Sequence, residues 1–158
     1  MTNSLQECAI TDILLSAAQE VFSSMLGIEI QQSEGAVNIE TPFDGVLSVI
    51  GLTGAWMGSG FLRSTDKVAC DLASRFLMTE AAAVNDEVLD AAGEVTNMII
   101  GSAKNVAEEQ LGAIQMSVPT VVYGKNLSTR AMRSELQAPL TCTYSGGRFL
   151  LGICLAKR

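Results

Sequence analysis

The chain has 158 residues, 48% of them hydrophobic and 17% charged, with a net charge of −7 and a mean hydropathy of +0.31. A chain of this length buries roughly 68–70% of its unfolded surface, so a single domain over 1–158 stands without disulfide or metal staples. It holds no basic cluster and no histidine, which argues against nucleic acid or an anionic membrane as partner and excludes His-dependent triads, the commonest zinc ligand and the usual general base.

Ser4-Leu5-Gln6-Glu7 reads as a capping box that opens a first helix. Ile13, Leu14, Ala17, Ala18, Val21, Phe22, Met25 and Leu26 then follow the helical period, with Gly27 as the stop. Ile28 to Ile39 predicts two strands about the turn Ser33-Glu34-Gly35, and Pro42-Phe43-Asp44-Gly45 predicts a further turn. Val46 to Thr53 and Trp56 to Ser64 form a hairpin around Gly54-Ala55. A second helix spans 66–78, capped by Ser64 or Thr65. The third is long. It starts after Asn85, a good N-cap, carries Asp86 and Glu87 in its first turn, and ends near Glu109 or Leu111. Met116 to Tyr123 is a strand in which Pro119 marks an edge or a bulge. Gly124 to Gln137 is polar and read as irregular, and Leu140 to Tyr144 with Arg148 to Ala156 make a last hairpin.

No apolar run reaches the roughly 18 residues of a membrane span. Met1 to Ser4 has no basic n-region, so a cytoplasmic chain without a signal peptide is expected. Cys8, Cys70, Cys142 and Cys154 lack CxxC spacing and read as free thiols, mostly buried, in a reducing compartment.

The chain contains itself twice. Leu15-Ser16-Ala17-Ala18-Gln19-Glu20-Val21 recurs as Leu89-Asp90-Ala91-Ala92-Gly93-Glu94-Val95, with Ser23 falling on Asn97 and Gly27 on Gly101. Gly54-x5-Gly60 and Gly146-x5-Gly152 take corresponding places in the two late hairpins. The pattern is helix followed by strands, in half-repeats of about 5–64 and 85–156, with the helix at 66–78 inserted between them.

Asp90, Glu94 and Asn97 lie at i, i+4 and i+7 and share one stripe of the third helix, which Gly101 continues. The buried stripe is expected to be Leu89, Ala92, Val95 or Thr96, Ile99, Ala103 and Val106. A glycine inside a helix costs roughly 1 kcal/mol against alanine, which is tolerated where another backbone comes close. An acid beside an amide lacks the parts of a self-contained enzyme. Asn is neither base nor nucleophile, but it holds a water with one donor and one acceptor. By itself such a row is also compatible with a merely solvated helix face.

Asp90-x3-Glu94-x2-Asn97 is followed by Ser117-Val118-Pro119-Thr120-Val121-Val122 and Gly124, with Pro119 22 positions after Asn97. This resembles the signature of the CheC/CheX/FliY family of chemotaxis phosphatases, and Ala17-Ala18-Gln19-Glu20-Val21-Phe22 through Gly27 resembles the family's first helix. A single acid–amide pair, in the second half only, is similar to the CheX type. The resemblance implies an α/β (α+β) CheC-like fold, with long helices on a mainly antiparallel sheet and an internal pseudo-twofold. It implies hydrolysis of the aspartyl phosphate of a CheY-type response regulator, with Asn97 orienting the attacking water and Glu94 anchoring the regulator through its lysine. Asp90 and Gly101 would help dock the partner. Magnesium would sit on the regulator, so no cofactor and no metal ligand of its own are expected. A cytoplasmic homodimer is also implied, with Glu20 and Ser23 a relic of a first site. The alternatives are a non-catalytic regulator-binding adaptor or flagellar-switch-like protein of the same fold, and a structural oligomeric domain. Thiol chemistry finds no cluster of basic residues beside Cys70, Cys142 or Cys154 in sequence.

Overall fold

The computed structural model describes residues 2–35, 38–130 and 134–158, with side chains from Gln6 onward. Its elements are α1 (Thr2–Val21), a π-helical turn (Phe22–Leu26), β1 (Gln31–Ser33), β2 (Phe43–Gly54), β3 (Trp56–Ser64), α2 (Asp66–Leu77), α3 (Asp86–Leu111), β4 (Ile114–Met116), β5 (Thr120–Leu127), β6 (Leu136–Tyr144) and β7 (Gly147–Lys157). The fold is α/β, with the helices on one face of an antiparallel sheet.

Period-two alternation decides that face. Cross-strand neighbours Ile50, Gly60, Ile153 and Ala138 form one row, and Ser48, Leu62, Leu151 and Leu140 another. These rows meet α1 and α3 in the main core, where Phe22 stacks on Phe149 with ring centroids 4.8 Å apart. Leu47, Phe61, Leu150 and Cys154 point the other way and form a smaller cluster with Ile39. No helix of the described residues is long and apolar enough to cross a membrane.

The strand order is β1-β6-β7-β3-β2, with β4 and β5 both paired to β2. Each half-repeat thus lends its first strand to the other. β1 pairs with β6, and β4 with β5 pairs with β2, about a central β3–β7 pair. The exchange ties the halves into one sheet, with α2 leading from one half to the next. Thr65 caps α2 by accepting from the Val68 N–H at 3.3 Å, and Asn85 caps α3 by accepting from the Val88 N–H at 2.9 Å. Gly27, at φ 67°, ends the π-helical turn.

Several local expectations fail for identifiable reasons. α1 already runs from Thr2, so Ser4 is not a cap; its side chain lies outside the described residues, and the Glu7 carboxylate instead accepts from the Gln137 N–H of β6. Between Ile28 and Ile39 only Gln31–Ser33 pairs as a strand, 36–37 lying outside the described residues. The carbonyls of Ile39 and Thr41 are taken by the Arg63 guanidinium, and Ile39 also accepts from the Thr129 hydroxyl, so these two carbonyls serve side chains instead of a ladder. Phe43 to Gly45 is not a turn but the start of β2, with a register shift against β5. Gly45 stands at φ 143°, and a Cβ there would strike the Ser64 carbonyl. β5 continues through Leu127 and β6 begins at Leu136, which narrows the irregular stretch; 131–133 lie outside the described residues. Gly60 and Gly152 are not equivalent. A side chain at Gly60 would meet Ile100 of α3, whereas one at Gly152 would meet the Phe61 ring on the opposite face.

The far end of α3 is tied to β4 by one carboxylate. Glu108 accepts from the Ile114 N–H at 3.0 Å and pairs with Lys104 at 3.2 Å. The Ile114 bond first, then Lys104, holds the Glu108 carboxyl below its ordinary range. A depressed folded-state pKa contributes stability above the unfolded value and loses it as pH falls through the folded one. The urea midpoint of Glu108→Gln should therefore differ from wild type most at neutral pH, and the gap should close below the ordinary glutamate pKa of about 4.3.

Candidate functional site

α3 is rigidly seated before any functional residue is considered. Asp86 and Glu87 complement its positive end beside the Asn85 cap. Val88, Ala91, Val95, Ile99, Ala103, Ala107 and Leu111 are buried along it, and Ile100 reaches the sheet over Gly60. Thr96 is fully buried and its hydroxyl donates to the Ala92 carbonyl, so it needs no outside partner. Val106 does not belong to this stripe. It is 50% exposed, because the buried row continues from Ala103 by steps of four, to Ala107 and Leu111. Leu89 and Ala92 are only partly buried.

The same phase turns Asp90 and Glu94 to solvent and leaves Asn97 and Gly101 half-exposed on one continuous stripe. Within the described residues no hydrogen bond or ion pair ties down the side chains of Asp90, Glu94 or Asn97. All four sequence-predicted residues therefore fall together on one accessible face. An acceptor-only carboxylate, one helical turn before an amide that both donates and accepts, can hold a cation and a water side by side.

A second element borders this stripe. β4 and β5 pair with the same strand, Met116 opposite Leu52 and Thr120 opposite Val49. Three residues, Ser117, Val118 and Pro119, therefore face two, Gly51 and Ile50. This is a bulge. Ser117 clamps it: its N–H donates to the Gly51 carbonyl at 2.9 Å, its hydroxyl accepts from the Gly51 N–H at 2.8 Å, and the hydroxyl donates to the Val118 carbonyl at 2.9 Å. The segment presses on α3 where glycine makes room. A Cβ at Gly93 would lie 3.3 Å from Val121 and 3.4 Å from Pro119, and one at Gly101 would lie 3.8 Å from Met116. Gly93 and Gly101 are one helical turn either side of Asn97, so the bulge passes level with that amide. Gly101 is thus lined by a side chain, and the closer approach is at Gly93, which the sequence pattern did not single out. The repeat carries the missing signal, since the matching residue in the first half is Gln19.

The first half does not form a comparable arrangement. Glu20 and Ser23 are exposed, but Ser23 lies within the π-helical turn, where the angle advanced per residue is smaller than in an α-helix. Their spacing therefore does not reproduce that of Glu94 and Asn97. Gln19 donates to the Ile30 carbonyl instead of making room for a neighbouring strand.

Other features lie elsewhere. A cavity of about 320 Å³ opens on the sheet face away from the helices, lined by Ile39, Phe61, Arg63 and Cys154 among others, and contains no residue of the stripe. Among the thiols, Cys70, Cys142 and Cys154 are buried and Cys8 is exposed; none is in a disulfide. Burial raises the pKa of all three buried thiols, Cys142 to about 12, which keeps them protonated and poorly nucleophilic.

Comparison with known proteins converges on one family. A family model described as chemotaxis phosphatase CheX matches residues 46–142, which include all of α3 and the bulge. The CheY-P phosphatase CheX of Thermotoga maritima is 26% identical over 138 residues, covering 85% of this chain and 88% of that protein. The crystal structure of CheX from Desulfovibrio desulfuricans superposes with a TM-score of 0.82 at 26% identity, covering 93% of this chain and 99% of that one. A chain of the CheX–CheY–BeF3–Mg2+ complex from Borrelia burgdorferi superposes with a TM-score of 0.74 at 22% identity, covering 92% and 97%.

Proposed function

The chain belongs to the CheX family of chemotaxis phosphatases, and from that premise we propose how its own residues perform the reaction. It hydrolyses the aspartyl phosphate of a CheY-type response regulator. The observation that carries the assignment of residues is the accessible Asp90–Glu94–Asn97 stripe, unengaged within the described residues and lying on a rigid helix inside the matched span.

The stripe enters the regulator's phosphorylation site. The Asn97 carboxamide oxygen accepts a hydrogen bond from a water and its amino group donates toward the phosphoryl oxygens, fixing the water in line. The water oxygen bonds to phosphorus as the bond from phosphorus to the aspartyl oxygen breaks, giving inorganic phosphate and a free carboxylate. The water's proton leaves with phosphate or solvent, so no general base is required, as in other phosphoryl transfers through loose transition states. Glu94 pairs with the regulator's phosphate-binding lysine and holds α3 in place. Asp90, one turn earlier, lends a further carboxylate to docking, and Gly101 keeps the stripe low where the partner comes near. Magnesium belongs to the regulator, and this chain contributes no ligand to it. In the Borrelia burgdorferi complex, CheX is found with CheY, BeF3 and Mg2+, which supports a partner of this type.

We place the protein in the cytoplasm as a homodimer. Two observations support the dimer: the apolar composition, and the strand β5, whose Val122 and Tyr123 are 39% and 49% exposed and which pairs only with β2 among the described residues. Light scattering should give a mass of twice 16.7 kDa.

The functional test is phosphate release from a CheY-type regulator of the same organism, phosphorylated with a small-molecule donor. Asn97→Ala should lower kcat by about 10²-fold or more while still binding the BeF3-activated regulator, because it removes positioning and not docking. Glu94→Gln should weaken that binding by about tenfold, the worth of one charge-assisted contact. Wild-type acceleration that survives in Asn97→Ala would overturn the residue assignment. Binding without any acceleration would point to an adaptor.

A further inference from the structure

We propose that Val118 is the apolar docking residue of this site, and that the bulge exists to present it to the regulator's receiver domain. The inference rests on the phosphatase reading above and adds a specificity contact to it. Three independent observations converge on Val118. It is 82% exposed, against 50% or less for every other exposed large apolar side chain except Met78 among the described residues. It is the central residue of a three-against-two bulge, so the extra residue of the strand is the one pushed outward. The bulge is also held from both sides. The two backbone and side-chain bonds between Ser117 and Gly51 fix its start, and Pro119 packed on Gly93 fixes its end. Gly51 itself leaves room for the clamp, since a Cβ there would stand 3.3 Å from the Ser117 hydroxyl.

An exposed apolar side chain on a flexible loop would mean little. One that the backbone holds in place, level with the water-orienting amide, has its ordering entropy already met and loses less on binding. The receiver of an aspartyl phosphate carries that group in a crevice at the carboxyl ends of its strands, bordered by loops. When α3 enters such a crevice, the turn beside Asn97 must meet one of the bordering loops. The chemistry Val118 selects there is an apolar loop residue. Glu94 then supplies charge recognition, Asn97 supplies chemistry, and Val118 supplies the apolar contact that distinguishes one regulator from another.

The test compares wild type with Val118→Asp, Val118→Ala and Val118→Ile, using the full chain and the acyl-phosphorylated regulator. Burying or losing one valine side chain alters affinity by about tenfold or more. Val118→Asp should raise KM by at least that factor while kcat at saturation is retained, Val118→Ala should fall between, and Val118→Ile should keep the wild-type KM. The urea midpoint should not move in any of them, since the residue is exposed. A wild-type KM in Val118→Asp, or a fall in kcat with KM unchanged, would overturn the proposal. If wild type neither accelerates release nor binds the BeF3-activated regulator, the phosphatase reading itself fails and takes this inference with it; that failure shows in the wild-type arm, the other only in the variants.

Discussion

The packing of α3 is the constraint from which the rest follows. A 26-residue helix cannot be buried all round and remain available to a partner. Here Val88 and Ala91 sink its first turns against α2 and β2, and Val95, Ile99, Ala103 and Ala107 sink the rest against α1 and the sheet. Small side chains bring the axes close, and the capped ends keep the phase from drifting. Once that face is fixed, helical geometry leaves no choice about where Asp90, Glu94 and Asn97 point. The proposed functional stripe is the complement of the buried stripe.

Duplication explains why there is one such stripe and not two. The halves share a sheet by exchanging first strands, so each long helix lies beside strands whose partners come from the other half. In the second half this brings the strand that follows α3 back along it, and Gly93 lets Pro119 approach. In the first half Gln19 stands at the matching position and the helix ends in a π-helical turn. That turn carries Phe22 into the core, where it stacks on Phe149. Ser23, which the repeat aligns with Asn97, falls in that turn, where the winding differs from an α-helix.

Much of this was legible in the residues, and the division between what was and was not is physical. The caps at Thr65 and Asn85, the repeat, the hairpin of β2 and β3 and the polar stripe are all local patterns. Side chain, backbone and partner lie within a few residues, so spacing alone encodes them. What could not be read depends on distant partners. Ile39 reads as a strand residue, but its carbonyl answers Arg63 and Thr129. Glu7 reads as half of a capping box, but its carboxylate is claimed by β6, 130 residues away. Gly60 and Gly152 look alike in sequence and sit on opposite faces, because spacing within a hairpin says nothing about register across the sheet. Val106 illustrates a finer limit. A helical period fitted to the middle of α3 slips by one residue at its end, and only the neighbouring elements decide which phase is kept.

The composition of the proposed site suits the chemistry assigned to it. Phosphoryl transfer from an acyl phosphate needs little covalent help; it needs a water held in line and charge compensated in place. In the proposed reaction the electrophile, its metal and the lysine all arrive with the partner, which would leave this chain the task of positioning, a task a rigid surface element serves better than a deep pocket. That reading fits a proposed stripe that carries neither histidine nor cysteine. The supporting interactions accordingly fix backbone segments, at the Asn85 cap, the Ser117 clamp and the Gly93 contact. A catalyst whose only contribution is geometry has to place its rigidity in the elements that carry the geometry. In this fold those elements are α3 and the strand that returns beside it.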